Sequence, residues 1–308
     1  MPIEHHRHTV TAEQAGRIDH VVQALVAQSR RYITGLFDHG CVTLNGDLCP
    51  DSFARVKPDD IVELNHDPHR GYSPIAKAWH SSAFRIIFED ASLIVVDKAA
   101  WVLTVPTGPT HDGSLVDAVS EYVGRSGRRD KAHVVHRLDR GVSGLLVFAK
   151  TPQVAEQLKA QFAKHRPQRL YVALVAGQLD GKSGTFRSYL ATAANLDRYS
   201  TRDKDKGELA ITHYQAQRQA HGATLVHVRL ETGKRNQIRV QFAEAGHPVL
   251  GDPRYRVDLA QHPRWNLPRL ALHAAELGFD HPTTGAPVRF EAPLPGAFAF
   301  FFGQSRKA

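Results

Sequence analysis

The chain has 308 residues, 42% of them hydrophobic, and its formal net charge is +8. This length suits one domain of moderate size with a smaller one, and the positive charge favours a polyanionic partner, nucleic acid before an anionic membrane surface. The longest apolar runs, such as 297–302, are far shorter than the roughly 20 residues that span a bilayer, which excludes a transmembrane helix.

The start of the chain and its two cysteines indicate the compartment. Residues 1–10 are polar and rich in histidine, so we expect no secretory signal. Cys41 and Cys49 are predicted to point to opposite faces of one hairpin, where a disulfide is disfavoured. We therefore expect a reduced, cytoplasmic protein.

Two short helices and a hairpin are the first predicted elements. Apolar residues recur with helical spacing at Ile18, Val21, Val22 and Leu25. Ser29 is predicted to cap the second helix and Gly40 to end it. The pair Asn45-Gly46 between short alternating segments predicts a two-residue hairpin turn, and 61–64 is typical of a further strand.

Two arginines stand in the first turn of the second predicted helix. The helix dipole disfavours positive charge at Arg30 and Arg31, so an external anion would stabilise them there. Simple solvation of the two side chains explains the pattern equally well.

Residues 9–65 resemble the S4 RNA-binding domain. The match is carried by Gly16-Arg17-Ile18-Asp19, Ser29-Arg30, Leu44-Asn45-Gly46 and Lys57-Pro58-Asp59-Asp60-Ile61. In that family two helices and a hairpin present a basic surface to structured RNA. The resemblance implies contacts by Arg17, Arg30 and Arg31, which would bind phosphate and position the RNA without reading its sequence. Residues 66–82 are predicted to form a linker because proline, glycine and polar residues dominate there.

A larger domain is predicted over 83–308. It opens with two strands, 84–90 and 93–98, and the second is apolar enough to be buried on both faces. A helix is predicted over 114–122. The run 136–144 then places Asp139 at the end of a short apolar segment, ahead of a glycine-containing turn and the apolar strand 145–149.

Arg137 and Arg140 flank Asp139. An acid among arginines is either a structural ion-pair partner or a carboxylate kept ionised for chemistry. Because structural ion-pair networks are common, these residues alone favour the structural interpretation.

Strands dominate the rest of the chain. Thr151-Pro152 begins a helix with a cap and a proline in the favoured places, and 170–175 is typical of a strand. The charged segment 198–207 predicts a mobile loop, 209–231 predicts two strands, and Gly285-Ala286-Pro287 predicts a turn. This mixture of strands and interspersed helices favours the α+β class.

Several common site motifs are absent from the sequence. It contains no GxxxxGK[ST] or GxGxxG loop, which argues against an enzyme driven by a nucleoside triphosphate or dependent on nicotinamide. No HExxH or CxxC spacing argues for a metal.

The central run resembles the signature of the RluA-type pseudouridine synthases, His-Arg-Leu-Asp-x-x-Thr/Ser-Ser-Gly. It stands here as His136-Arg137-Leu138-Asp139-Arg140-Gly141-Val142-Ser143-Gly144. Further blocks keep the family's order, at 88–98, 169–173, 230–240, 246–248 and 251–255. The resemblance implies a catalytic domain with a mixed, mostly antiparallel sheet and flanking helices, preceded by a small α/β S4-like module.

Members of that family isomerise uridine in RNA to pseudouridine without a cofactor or a metal. The resemblance implies that Asp139 acts on the uridine, as a nucleophile or as a base at the ribose, and that Arg239 keeps it ionised. Tyr171 matches the residue that stacks on the target base, which must be flipped into the pocket. Further RNA contacts are implied for Arg137, Arg140, Lys234 and Arg235.

The sequence also departs from the family pattern. Lys234, Asn236 and Gln241 stand where Arg, His and His are usual, and Val142 stands where Thr is common. The first block has Ala99 and Trp101 in place of its usual Pro and Gly.

We therefore predict an RNA pseudouridine synthase that modifies uridine in structured RNA, with large-subunit ribosomal RNA ahead of transfer RNA. We expect a monomer that uses no nucleotide cofactor and no membrane. The alternative is an inactive RNA-binding or RNA-folding factor, supported by the altered third block. A carboxylate-dependent hydrolase is disfavoured, because the second acid that glycosidases need is lacking.

Overall fold

The computed structural model describes residues 3–72, 81–107, 113–125 and 131–303, and the chain divides into two units, Met1–His80 and Ser81–Ala308. Residues 73–80 of the predicted linker lie outside the described residues. Each unit has its own apolar core.

The first unit combines two helices with a four-stranded sheet. Its elements are β1 (Glu4–Thr9), β2 (Gly16–Arg17), α1 (Ile18–Val26), α2 (Arg30–Asp38), β3 (Val42–Leu44), β4 (Asp47–Leu48), β5 (Arg55–Val56) and β6 (Ile61–His66). The sheet has the order β1-β6-β3-β4, and β2 pairs with β5. The hydroxyl of Ser29 accepts a hydrogen bond from the Tyr32 amide, which confirms the predicted cap. The Asn45-Gly46 turn between β3 and β4 is confirmed too.

The core of the first unit lies between its helices and its sheet. Ile18, Leu36 and Leu64 are fully buried there. Tyr72 is also buried in this core, and its hydroxyl accepts a hydrogen bond from the Asp67 amide at 3.0 Å. The chain thus continues to contribute to the first unit beyond β6.

The second unit is built on a large sheet. Its elements are β7 (Phe84–Glu89), β8 (Leu93–Lys98), α3 (Leu115–Gly124), β9 (His133–Val134), β10 (Ser143–Ala149), α4 (Pro152–Ala163), β11 (Gln168–Ala176), β12 (Ser183–Thr192), β13 (Arg198–Thr201), β14 (Glu208–Ala220), β15 (Ala223–Leu230), α5 (Gln237–Glu244), α6 (Val257–Ala260), β16 (Leu272–Asp280), β17 (Pro287–Glu291) and α7 (Gly296–Phe301).

The sheet is mixed and almost entirely antiparallel. Its main order is β13-β12-β14-β15-β11-β16-β10-β8-β7, while β9 adds to β10 and β17 adds to β16. Among the described strands the parallel contact is between β10 and β16, where Ser143 pairs with His273. The predicted α+β class with a mostly antiparallel sheet and flanking helices is confirmed.

Helix α4 covers one face of the sheet. Thr151 accepts a hydrogen bond from the Val154 amide, and Pro152 stands in the first turn, as predicted. Leu158 is fully buried against Leu145 and Val147 of β10. None of the helices in the described ranges is long and apolar enough to cross a membrane.

The prediction of a mobile loop over 198–207 is wrong at its start. Arg198–Thr201 forms β13, which pairs with β12 at the edge of the sheet. The Arg198 guanidinium is buried and donates to Thr192 Oγ1 at 2.7 Å and to Glu208 at 3.0 Å. A charged residue is compatible with a strand here because Arg198 has side-chain partners on both β12 and β14.

Candidate active site

Asp139 lies in the loop between β9 and β10, and its side chain is 25% exposed. The strand that follows this loop, β10, has Gly144 as its second residue, with φ +114°, and Gly144 pairs with Ala274 of β16. A Cβ atom at Gly144 would overlap the Ala274 backbone. Glycine is therefore required at this position, since it alone lets β10 approach β16 so closely.

A buried lysine holds the other side of this loop. The Lys98 ammonium donates to the carbonyl oxygens of Ala99 and Val102, each at 2.8 Å, and to that of Arg140 at 3.3 Å. Burial lowers the pKa of Lys98 to about 7, and the charge of Arg269 acts in the same direction. Lys98 thus ties the segment after β8 to the residue that follows Asp139.

Asp139 is paired with Arg239, as the resemblance implies. Arg239 Nη1 donates to the Asp139 carboxylate at 2.9 Å. The rest of the guanidinium is bound by Asp252, with Nε at 2.7 Å and Nη2 at 2.8 Å. Burial alone would lower the pKa of Arg239, but the hydrogen bonds and charges of Asp252 and Asp139 outweigh it and raise that pKa. The arginine is therefore permanently charged and held in one orientation.

Helix α5 carries Arg239 into the interior. The residues from Gln237 to Ala243 are all buried, so the helix is enclosed and lacks a solvated face. Gln237 closes its start, because the Gln237 carboxamide accepts from the Lys234 amide and donates to the Ile211 carbonyl. These contacts hold the start of α5 in place, and the position of the Arg239 backbone is fixed with it.

Asn236 is a second partner of Asp139. It has φ +59° just before α5, which directs its side chain towards the carboxylate. The carboxamide satisfies both of its ends in one orientation, in which the nitrogen donates to Asp139 at 2.8 and 3.2 Å and the oxygen accepts from the Tyr255 hydroxyl at 3.0 Å. An amide thus holds the catalytic candidate where the family pattern has a histidine.

Replacing Asn236 with alanine is expected to slow the single-turnover reaction by about 10- to 100-fold, because two hydrogen bonds to a charged group are lost. RNA affinity, measured separately, should stay unchanged, and Asn236→His should recover part of the rate because an imidazole N–H can donate. Asn195→Ala is the matched control, since the exposed Asn195 also bonds a carboxylate, that of Asp197, at 2.8 Å. An Asn236→Ala variant with the wild-type rate would remove this residue from the site.

Tyr171 lies on β11, beside a bulge in the pairing with β16. The register shifts between Leu170 and Tyr171, so that Ala275 of β16 has no paired residue in β11. Bulges redirect side chains next to active sites. Tyr171 is buried, and burial raises the pKa of its phenol. The ring is therefore neutral at physiological pH.

These residues share a cavity of about 180 Å³. Asp139, Tyr171 and Arg239 line it together with Arg137, Lys234, Arg235, Asn236 and the apolar residues Leu138, Val142, Leu230 and Leu272. A small cleft with apolar walls, an aromatic ring and a few fixed polar groups is suited to a flat heterocycle. The three predicted catalytic residues are thus brought into one cavity.

Some of the second-unit residues that are predicted to contact RNA already have partners within the protein. Arg137 is exposed at the cavity, whereas Lys234 is ion-paired with Glu208 at 2.9 Å. Arg235 donates to the Leu196 carbonyl at 2.7 Å. The guanidinium of Arg140 lies 5.2 Å above the ring of Trp101 and does not line the cavity.

The first-unit residues that are predicted to contact RNA also differ in whether they have a partner within the protein. Arg17 is ion-paired with Asp19 at 2.5 Å and lies over the ring of Phe53. Arg30 and Arg31 begin α2 and are exposed. These two therefore remain accessible to an anion.

Sequence reasoning missed Asp252, Asn236 and Tyr255 as members of the site. Asp252 and Tyr255 lie in the family block 251–255, but nothing in the sequence indicated that Asp252 binds Arg239. Asp252 also accepts from the amides of Arg254 and Tyr255, at 2.9 and 3.2 Å, and this turn presents its carboxylate to the arginine.

The chain is similar to known proteins in sequence and in fold. The profile of the family described as RNA pseudouridylate synthase matches residues 92–244. Ribosomal large subunit pseudouridine synthase D from Zymomonas mobilis is 33% identical over 96% of this chain and 95% of that protein. The protein of the same name from Pseudomonas aeruginosa is 31% identical over 94% of this chain and 92% of its own length. Human RNA pseudouridylate synthase domain containing 4 shares the fold, with a TM-score of 0.58, 20% identity, and coverage of 70% of this chain and 91% of that chain.

Proposed function

The chain belongs to the RNA pseudouridylate synthase family, and from this premise we propose that it isomerises uridine in large-subunit ribosomal RNA at the Asp139 site. The observation that carries the proposal is the fixing of Asp139 by Arg239 and Asn236 within the cavity that contains Tyr171. The protein is a pseudouridine synthase. We propose, beyond this, that its substrate is ribosomal RNA and that these residues carry out the reaction.

The proposed reaction exchanges a C–N bond for a C–C bond. The bond from the ribose C1′ to uracil N1 breaks, the base turns, and C5 bonds to C1′. The hydrogen of C5 leaves as a proton, and N1 takes up a proton from solvent, so that the product is an isomer of the substrate. Asp139 acts on the uridine as an ionised carboxylate, and Arg239 stabilises that charge. Tyr171 stacks on the flipped base, a contact that is worth about 1–3 kcal/mol.

The choice of RNA rests on the relatives. The two bacterial proteins that match nearly the whole chain are both named for the large ribosomal subunit. A ribosomal RNA substrate also agrees with the accessible pair Arg30 and Arg31 in the first unit, and it implies a cytoplasmic protein.

Tritium at uridine C5 tests the substrate directly. We expect release from large-subunit RNA and little from a transfer RNA pool. Release from transfer RNA alone would overturn the proposed substrate and leave the reaction intact. No release from any cellular RNA, with tight binding retained, would favour an inactive RNA-binding factor.

The first unit is proposed to be an S4-like module that anchors the RNA. Replacing both Arg30 and Arg31 with alanine should weaken RNA binding and reduce the salt slope by about 2, since each lost phosphate contact removes roughly one released counterion. Binding measured over a range of salt concentrations checks this. Arg7→Ala with Lys159→Ala removes the same charge from β1 and α4 and should have a smaller effect. An unchanged slope in the Arg30/Arg31 variant would mean that α2 is not the anchor.

A further inference from the structure

The first unit holds a cluster of metal-ligating side chains on one face of its sheet. Glu4 pairs directly with His66 across β1 and β6, and His6 lies two residues after Glu4 on the same face. One ligand atom from each of Glu4, His6 and His66 lies within 4.8 Å of the others. The antiparallel register itself therefore brings the three groups together.

Two nitrogens in this cluster are buried and have no hydrogen-bond partner among the described residues. They are Nε2 of His6 and Nδ1 of His66. His66 is 4% exposed, so its ring is almost completely removed from solvent. Buried polar atoms are nearly always satisfied. An imidazole nitrogen that carries no hydrogen has a lone pair to donate, and a metal ion is a partner that accepts it.

We propose that the first unit binds a zinc ion, or a similar divalent transition metal, through Glu4, His6 and His66. Two imidazoles and one carboxylate suit zinc, copper or nickel, whereas calcium and magnesium prefer oxygen ligands alone. Three protein ligands leave one position of a tetrahedral zinc ion for water.

A structural ion pair is the competing explanation. The His6 Nε2 atom is 3.5 Å from the Glu4 carboxylate, which is a charged contact only when the imidazole is protonated. That pair leaves Nδ1 of His66 unsatisfied. A metal ion bound by all three side chains would give Glu4, His6 and His66 one shared partner.

The metal would join the edge strand to the rest of the sheet. β1 is the outer strand, and its hydrogen-bonded neighbour is β6. Ligands from both strands make metal binding a cross-link between them, and binding to the folded state alone stabilises that state. The first unit should therefore become more resistant to unfolding when zinc is added.

The test uses the full chain without a polyhistidine tag, titrated with zinc chloride in a calorimeter. The wild type should bind one zinc ion with a dissociation constant of about 1 μM or lower. His6→Gln and Glu4→Gln should each weaken binding by at least about tenfold, which corresponds to about 1.4 kcal/mol. His5→Gln is the matched control, because His5 is on the same strand and bonds Asn65 outside the cluster.

Two further measurements keep the outcome independent of folding. Circular dichroism should show that His6→Gln folds, since His6 is only partly buried. Cobalt should give tetrahedral visible absorption with the wild type and not with His6→Gln. Absence of zinc binding at 100-fold above the expected constant, or equal affinity in the folded His6→Gln variant, would overturn the proposal and leave water as the partner of these nitrogens.

Discussion

Replacing Asp139 with asparagine is expected to lower tritium release from uridine C5 by at least about 1,000-fold, because an amide can act neither as a nucleophile nor as a base. The substitution keeps the shape of the side chain, and Arg239 keeps its two bonds to Asp252. The loss should therefore be chemical and not structural. Single-turnover release with saturating enzyme measures it.

Two controls separate this effect from weaker binding or misfolding. RNA affinity of the Asp139→Asn variant should stay within about twofold of the wild type, since positioning contacts with phosphate dominate affinity. Asp258→Asn should keep the full rate, although Asp258 also pairs with an arginine, Arg256. If the Asp139→Asn variant keeps more than a tenth of the wild-type rate, Asp139 does not carry the chemistry.

Replacing Arg239 with methionine should have the largest effect on stability. The Asp252 side chain is 0% exposed, and Arg239 is the cation that balances it. Removing one partner of a buried pair costs about 3–5 kcal/mol, because the other charge stays buried and unpaired. Urea unfolding followed by tryptophan fluorescence measures the loss, since Trp265 is buried in the second unit.

A second substitution distinguishes the two tasks of Arg239. Adding Asp252→Asn removes the unpaired charge while its oxygen still accepts from the amides of Arg254 and Tyr255. Most of the unfolding free energy should return, whereas tritium release should stay low because Asp139 still lacks its cation. Recovery of both would show that Arg239 acts only through folding.

Local signals in the sequence were sufficient for several elements. Ser29 and Thr151 cap helices through a single side chain, and Asn45-Gly46 forms a turn whose conformation these residues favour. The apolar run before Lys98 is buried on both faces as expected. In each case the cause lies within a few residues of the effect.

Other elements had no local signal. β1 consists of polar residues, and it forms a strand because β6 offers it a hydrogen-bonding edge some 60 residues later in the chain. β13 contains a charged residue, Arg198, and the sheet accommodates it because Glu208 of β14 neutralises the charge. α5 is enclosed on all sides, so it lacks the alternation of apolar and polar faces that identifies most helices.

The site was predictable in its residue types but not in its connections. Family resemblance implied the pair of Asp139 and Arg239, which the structure joins at 2.9 Å. The contacts of Asn236 and Asp252 depend on a left-handed residue and on a turn far along the chain. Such contacts are set by the tertiary fold and have no signature in residue spacing.

The long separation between the paired residues also affects synthesis. Asp139 and Arg239 are 100 residues apart, and β10 pairs with a strand whose histidine, His273, is 130 residues after Ser143. At roughly 5–20 residues per second, a ribosome makes Asp139 many seconds before the strand that completes its pocket. The first unit needs only the first 80 residues and can fold during this interval. If the first unit anchors RNA as proposed, a nascent chain would bind RNA before it is able to modify it.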